Sequence, residues 1–221
     1  MKRKERAMIN YYDVKIVLGM NSFGLLSRKD DPWVRYSFDI FWDEEEAPGQ
    51  IVGSMQMSKL SYGEMSLRGL TLCLAFDDFL METSECYDVL FTKTGDLRKA
   101  FWDPSYGLEE YFARDFHFLE QIEINENFKG NGIAGIATQI YLENFANYDD
   151  VAYFKAFPLQ HESRFDDKPY CREFEGDFRA NQAKLCQYYA HLGFRRIGKT
   201  EHFFFVVDHF LSQRTELSHD R

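Results

Sequence analysis

Lys129-Gly130-Asn131-Gly132-Ile133-Ala134 brings a cation, two glycines and the start of an apolar helical period together in six residues. An extended run, 117–125, precedes it and a helix-period run, 133–145, follows, so the glycines fall at a strand-to-helix turn. Glycine lets other groups approach the backbone closely, and a helix N-terminus adds a partial positive charge. Several backbone N–H groups then converge on one point, which is the chemistry of a phosphate or pyrophosphate site. No GxxxxGK[ST] pattern exists and Lys129 precedes the glycines, which disfavours a nucleotide-binding P-loop.

The elements that must position this turn are written in the periodicity. Residues 12–20 hold a short apolar run that can form a strand. Val34, Tyr36, Phe38, Ile40 and Trp42 alternate with Arg35, Ser37, Asp39 and Asp43, and Ile51, Gly53, Met55 and Met57 alternate with Ser54, Gln56 and Ser58. These two runs predict an antiparallel hairpin with a long acidic loop at its tip. Phe76, Phe79, Leu80, Thr83, Tyr87, Leu90 and Phe91 fit one helix face, while 67–75 is ambiguous and Leu108 to Phe112 suggests a short helix. The strand 116–125 sets Phe118, Glu120, Ile122 and Ile124 on one side, with Glu123 on the opposite face from Glu120. A strand at 151–159, a long polar loop at 160–179, a helix at 181–192 closed by Gly193, and paired strands at 195–200 and 203–207 complete the order.

Composition narrows the class. The 221 residues allow one large domain, or one with an insertion. An apolar fraction of 45%, with 22 Phe and 13 Tyr, is enough for a substantial core. A formal net charge of −10 argues against a broad nucleic-acid surface and accords with an amine-bearing substrate. No apolar run of about 18 residues exists, so no membrane span is expected. The residues after the basic start are too polar for a signal-peptide core, so the expected location is cytoplasmic. Cys73, Cys86, Cys171 and Cys186 form no CxxC pair and read as reduced, mostly buried thiols without a metal.

Downstream, Tyr189-Ala190-His191-Leu192-Gly193-Phe194 sets a tyrosine four residues before a Gly-Phe pair, and Arg195-Arg196-Ile197-Gly198 follows. In order and spacing, this element and the glycine turn resemble the GCN5-related N-acetyltransferase (GNAT) superfamily. The acetyl-CoA motif of that superfamily is Gln/Arg-x-x-Gly-x-Gly/Ala at a strand-to-helix junction. Here Lys129 takes the first place, keeping the charge but losing the guanidinium fork. The resemblance covers about 116–207, within a chain read as one domain over 1–221, with 66–114 as a variable helical segment. It implies an α/β (mixed α+β) fold: a twisted, mostly antiparallel mixed sheet flanked by helices, open in a V at the acyl-CoA cleft. Superfamily members usually place two helices after the first strand, whereas the helical pattern here follows the hairpin.

The resemblance also implies roles. Acetyl-CoA is the acyl donor. Its pyrophosphate would meet the N–H groups of Asn131, Gly132, Ala134 and Gly135, in a site that also takes in Lys129, Gly130 and Ile133. Its pantetheine arm would pair with the strand near Ile122 to Ile124, where a backbone N–H could stabilise the thioester oxyanion. Tyr189 would protonate the departing thiolate as general acid; Tyr188, about 100° around the helix, points elsewhere. The acceptor amine must lose a proton, and Glu120 is favoured over Glu123 as the base, though either reads equally as a plain surface glutamate. Asn181 resembles a helix-start Asn that can contact CoA, or it caps the helix. His191 reads as exposed, and His117 and His161 as titratable residues with no recognisable partner. The expected activity is acetyl transfer to a primary amine by direct attack, the acceptor being a small amine, an amino acid, a peptide N-terminus or a protein lysine. No metal, nucleic acid or membrane partner is expected, and a homodimer is compatible with this reading. The alternative is an acyl-CoA-binding regulatory or interaction module without catalysis.

Overall fold

The computed structural model describes residues 14–18, 32–43, 49–77, 81–96, 98, 114–156 and 178–207. The alternating runs form strands β1 (Val14–Leu18), β2 (Trp33–Trp42) and β3 (Gln50–Leu60). Three short helices follow: α1 (Tyr62–Leu67), α2 (Leu72–Asp77) and α3 (Met81–Leu90). Then come β4 (Phe116–Ile124), a single 3₁₀ turn (Glu126–Phe128), α4 (Ile133–Phe145) and β5 (Val151–Lys155). The chain continues through α5 (Phe178–His191), β6 (Arg195–Arg196) and β7 (His202–Val206). The helical insertion therefore follows the hairpin, as its pattern predicts. The helix face expected from Phe76 to Phe91 falls on α2 and α3, with residues 78–80 outside the described residues, and the ambiguous 67–75 segment becomes a turn running into α2. The acidic hairpin tip, the helix expected at Leu108 to Phe112, the loop before α5 with His161 and Cys171, and the polar tail lie outside the described residues.

The strands make one seven-stranded sheet in the order β1-β2-β3-β4-β5-β7-β6. The β4–β5 pair is parallel and every other pair is antiparallel. A parallel pair needs a crossover, and α4 supplies it. The sheet is mixed, mostly antiparallel and flanked by helices. Its two faces carry separate cores. On one, Phe38, Met55, Met57 and Leu119 pack with Ile133, Ala137 and Tyr141 of α4, and Phe154 and Phe203 with Cys186 and Tyr189 of α5. On the other, Trp33, Leu60, Phe116, Phe118, Tyr153 and Phe204 pack with Phe76, Cys86, Tyr87 and Leu90 from α2 and α3. Trp33 satisfies its indole N–H inside that second core by donating to the Ala75 carbonyl at 2.7 Å. Among the described residues no helix is long and apolar enough to cross a membrane.

Two bulges set which side chains face which core. The pairing shifts at Val52 on β3 and again at Glu120 on β4, where Gln56 faces Gln121 but Met57 faces Leu119. One extra residue reverses the parity of everything beyond it. Gly53 sits beside the first bulge, and a Cβ there would lie 2.2 Å from the Glu123 carbonyl oxygen and 3.0 Å from Ile124 Cδ1. The first obstacle is backbone and cannot swing aside. Gly53→Ala is therefore expected to destabilise the fold by roughly 1–3 kcal/mol through overpacking, read as a lower urea midpoint at unchanged m-value.

Candidate functional site

The glycine turn has the geometry its sequence predicts. Gly130 and Gly132 hold φ of 79° and 78°, left-handed values that side-chain-bearing residues avoid. Gly132 is the N-cap of α4, and the first helical hydrogen bond runs from the Ile136 N–H to its carbonyl at 3.2 Å. The N–H groups of Ile133, Ala134 and Gly135 thus have no partner one turn back, as at any helix start. Asn131 between the glycines donates its side-chain N–H to the Phe128 carbonyl at 3.2 Å, tying the turn to the preceding 3₁₀ segment. Lys129 is exposed and pairs with Glu126 at 2.5 Å.

Beside this turn the sheet is split. β4 and β5 are in register only from Phe116–Val151 to Phe118–Tyr153. Beyond that point β4 continues from Leu119 to Ile124 with register partners, among the described residues, on β3 alone. Ile122 and Ile124 therefore lie on a strand edge that ends at the 3₁₀ segment and glycine turn leading into α4.

The bulge corrects the expected disposition of β4. Ile122 and Ile124 pack toward the α4 core with Leu119, whereas Glu120 lies on the opposite face, where its Oε1 accepts from Arg35 Nε at 2.8 Å and from the Ser58 hydroxyl. Glu123 pairs across to Ser54, four residues along β3 from Ser58, so Glu120 and Glu123 share a face instead of opposing one another. Simple alternation fails because the bulge contributes one extra residue between them. Glu120 is held in a half-buried ion pair, its side chain 11% exposed, and Glu123 accepts from Gln121. Arg35 and Ser58 were legible only as polar positions of the hairpin; their pairing with each other across β2–β3 is what brings both to Glu120.

On α5 the Gly-Phe pair closes the helix. Gly193 has φ of 95°, its N–H bonds the Ala190 carbonyl at 3.1 Å and the Phe194 N–H bonds the Tyr189 carbonyl at 3.1 Å. These two bonds make a Schellman motif, in which the last residue packs on the one five before it. Here that contact is Phe194 against Tyr189, and both rings lie on Phe154 of β5, with centroids 4.7 and 4.1 Å away. Burial, followed by the neighbouring Tyr188 and Cys186, raises the Tyr189 phenol above its ordinary range, so it keeps its proton at neutral pH. Its hydroxyl has no hydrogen-bond partner among the described residues, and none of their buried side-chain polar atoms is unsatisfied. Asn181 is buried and is the fourth residue of α5, inside the helix and not at its cap.

Two polar groups were not assembled by the sequence reading. His117, fully buried, faces Asp150 through Nε2 at 3.0 Å and Tyr141 through Nδ1 at 2.9 Å. Burial lowers the His117 pKa against the pull of Asp150. Burial works the other way on Asp150, but the hydrogen bonds from His117 and the Asn147 N–H outweigh it and hold the carboxyl below its ordinary range. His117 is thus neutral, donating from Nε2 to the Asp150 carboxylate. The partner the sequence did not reveal is a loop residue 33 positions away. On the other face, Lys155 pairs with Glu85 of α3 at 2.5 Å, and Tyr153 bonds His202, whose pKa burial also lowers.

These histidines give a pH signature of known sign. Both are lowered in the fold, so below the ordinary value of 6.5 the unfolded chain takes up protons that the native state refuses. Stability is full above that value and falls as the pH drops below it. Asp150, also lowered, adds a further loss below its ordinary 3.8. The urea midpoint should therefore be lower at pH 5 than at pH 7, and a His117→Gln, His202→Gln double variant should show a smaller difference between the two.

Neither models of known protein families nor curated proteins give a match to this chain.

Proposed function

We propose that this chain transfers an acetyl group from acetyl-CoA to a primary amine, in the manner of the GNAT superfamily. The observation that carries this reading is the one-sided edge of β4, Leu119 to Ile124, opening beside the two left-handed glycines at the start of α4. Among the described residues no strand pairs with that edge, and the N–H and C=O groups along it suit the amides of an extended pantetheine arm. A helix N-terminus a short turn away suits its pyrophosphate. A Cβ at Gly132 would meet nothing within 4 Å, so the approach to the turn is uncrowded. Donor binding thus falls to the backbone of Asn131, Gly132, Ala134 and Gly135, with Ile122 and Ile124 along the arm. Lys129 and Gly130 belong to the same cradle. Asn181 and Tyr189, eight residues apart on α5, stand about 80° apart around the helix and so look toward one side.

When bound, the donor supplies an activated thioester; the chain's own residues handle the protons. Glu120 takes the proton of the acceptor ammonium from the face opposite α4 and α5. A backbone N–H near Ile122 to Ile124 stabilises negative charge on the acyl oxygen. Tyr189 returns a proton to the sulfur. Acid and base work from opposite faces of the split, so donor and acceptor need not share an entrance.

One observation favours a second reading. Glu120 already accepts hydrogen bonds from Arg35 and Ser58, as a structural carboxylate would. That suits an acyl-CoA-binding module without turnover. One experiment separates the two. Thermal shift with acetyl-CoA, ATP and NAD reads the ligand class, and thiol release against a panel of primary amines reads transfer. Stabilisation by acetyl-CoA alone, with amine-dependent thiol release, is the expected result. Binding without release supports the module, and no preference for acetyl-CoA sinks both.

A further inference from the structure

The Arg35–Glu120 and Lys155–Glu85 ion pairs stand on opposite sides of the β4–β5 split, on one face of the sheet. Phe118 and Tyr153 are the last residues in register across these strands, and their rings stack at 5.6 Å on the α3 side. Side chains return to a given face every second residue of a strand. Two residues beyond Tyr153 is Lys155, whose partner Glu85 lies on α3 and so on that face. Two residues beyond Phe118 is Glu120, which the bulge leaves on the same face, because it bonds Ser58, the residue paired with Phe118. Both ion pairs therefore flank the split immediately past its last closed rung. α3 is fixed there by Cys86, buried in the same core cluster as Tyr153 and one residue from Glu85.

Resting on the acetyl-transfer reading, we propose that Lys155 and Glu85 form the far wall of the acceptor site, and that the acceptor is a primary amine that also carries a carboxylate, as a free amino acid does. Two cations and two carboxylates sum to zero, which matches a zwitterion and not a polyamine, whose charge needs a net-negative wall. The acceptor's ammonium goes to Glu120, where its proton must leave. Its carboxylate goes to Lys155 and not to Arg35, because Arg35 is committed to holding Glu120. Glu85 is the partner able to yield: its side chain is 39% exposed against 21% for Lys155, so it can turn to water when a substrate carboxylate takes its place. Through α3, the helical insertion between β3 and β4 thus sets acceptor specificity.

The test uses the full chain and a panel of α-amino acids, their methyl esters and aliphatic diamines, with binding measured by calorimetry and transfer by thiol release. The best amino acid should bind at least tenfold more tightly than its ester. Lys155→Met should abolish that preference while leaving acetyl-CoA affinity unchanged, and Glu85→Gln should preserve it. Equal binding of acid and ester, preference for diamines, no binding by any panel member, or an acid preference that survives Lys155→Met would overturn the proposal. Should Lys155→Met fail to fold, the acid–ester comparison on the unaltered chain decides alone. Lysine-dependent binding of an amino acid without any transfer would instead remove the transferase reading and leave the zwitterion site standing.

Discussion

Tyr189→Phe is expected to lower kcat about a hundredfold with little change in the KM for acetyl-CoA, the size of a lost general acid. The ring of Tyr189 is a packing element: it lies against Phe154 at 4.1 Å and against Phe194, and phenylalanine reproduces those contacts. The hydroxyl has no partner among the described residues, so its removal orphans no donor or acceptor there. Stability should therefore hold, and any loss of rate belongs to proton delivery. The phenol is protonated at neutral pH, as a donor must be, although burial raises its pKa and so makes it a weaker acid than a free tyrosine. Tyr188→Phe is the matched control, one residue away at a ring distance of 5.5 Å but about 100° around the helix, and should leave kcat within about twofold. Unchanged turnover in Tyr189→Phe would remove Tyr189 from the chemistry.

The same residues show how much of the site could be read in advance. Helix α4 spans the residues its period predicts, and the glycines adopt the left-handed values that make the turn possible, because both signals are local. The Tyr189 to Phe194 element is likewise local: a Schellman motif is written in six consecutive residues. The helical insertion after the hairpin was legible too, since its order in the chain is its order in the fold. Where the reading failed, the cause was non-local. The bulge at Glu120 exists only in the pairing of β4 with β3, and it undoes the alternation rule for Glu120, Ile122, Glu123 and Ile124 together. Arg35, Ser58 and Glu120 come from three strands, and Lys155 and Glu85 are 70 residues apart. No spacing rule joins such residues before the sheet order is known. Asn181 shows a smaller failure: helix ends shift by a few residues, and a start at Phe178 moves it from cap to interior.

Glu120→Gln is expected to cut kcat/KM about a hundredfold at neutral pH, and the loss should shrink as the pH is raised. Gln keeps the shape and one acceptor oxygen, so the Arg35 and Ser58 hydrogen bonds can persist and the bulge can survive. What disappears is the capacity to accept a proton. An amine that solvent has already deprotonated no longer needs that capacity, so alkaline pH, or an acceptor amine of lower basicity, should restore most of the rate. A purely structural role predicts a loss that neither change repairs, which makes the recovery, more than the size of the defect, the deciding measurement. Glu123→Gln must be run beside it, because the bulge puts Glu123 on the same face, its partner Ser54 four residues along β3 from Ser58. If Glu123→Gln shows the pH-dependent rescue and Glu120→Gln does not, the base is Glu123. Glu120 is then the carboxylate that holds Arg35, and the proton leaves further along the open edge of β4.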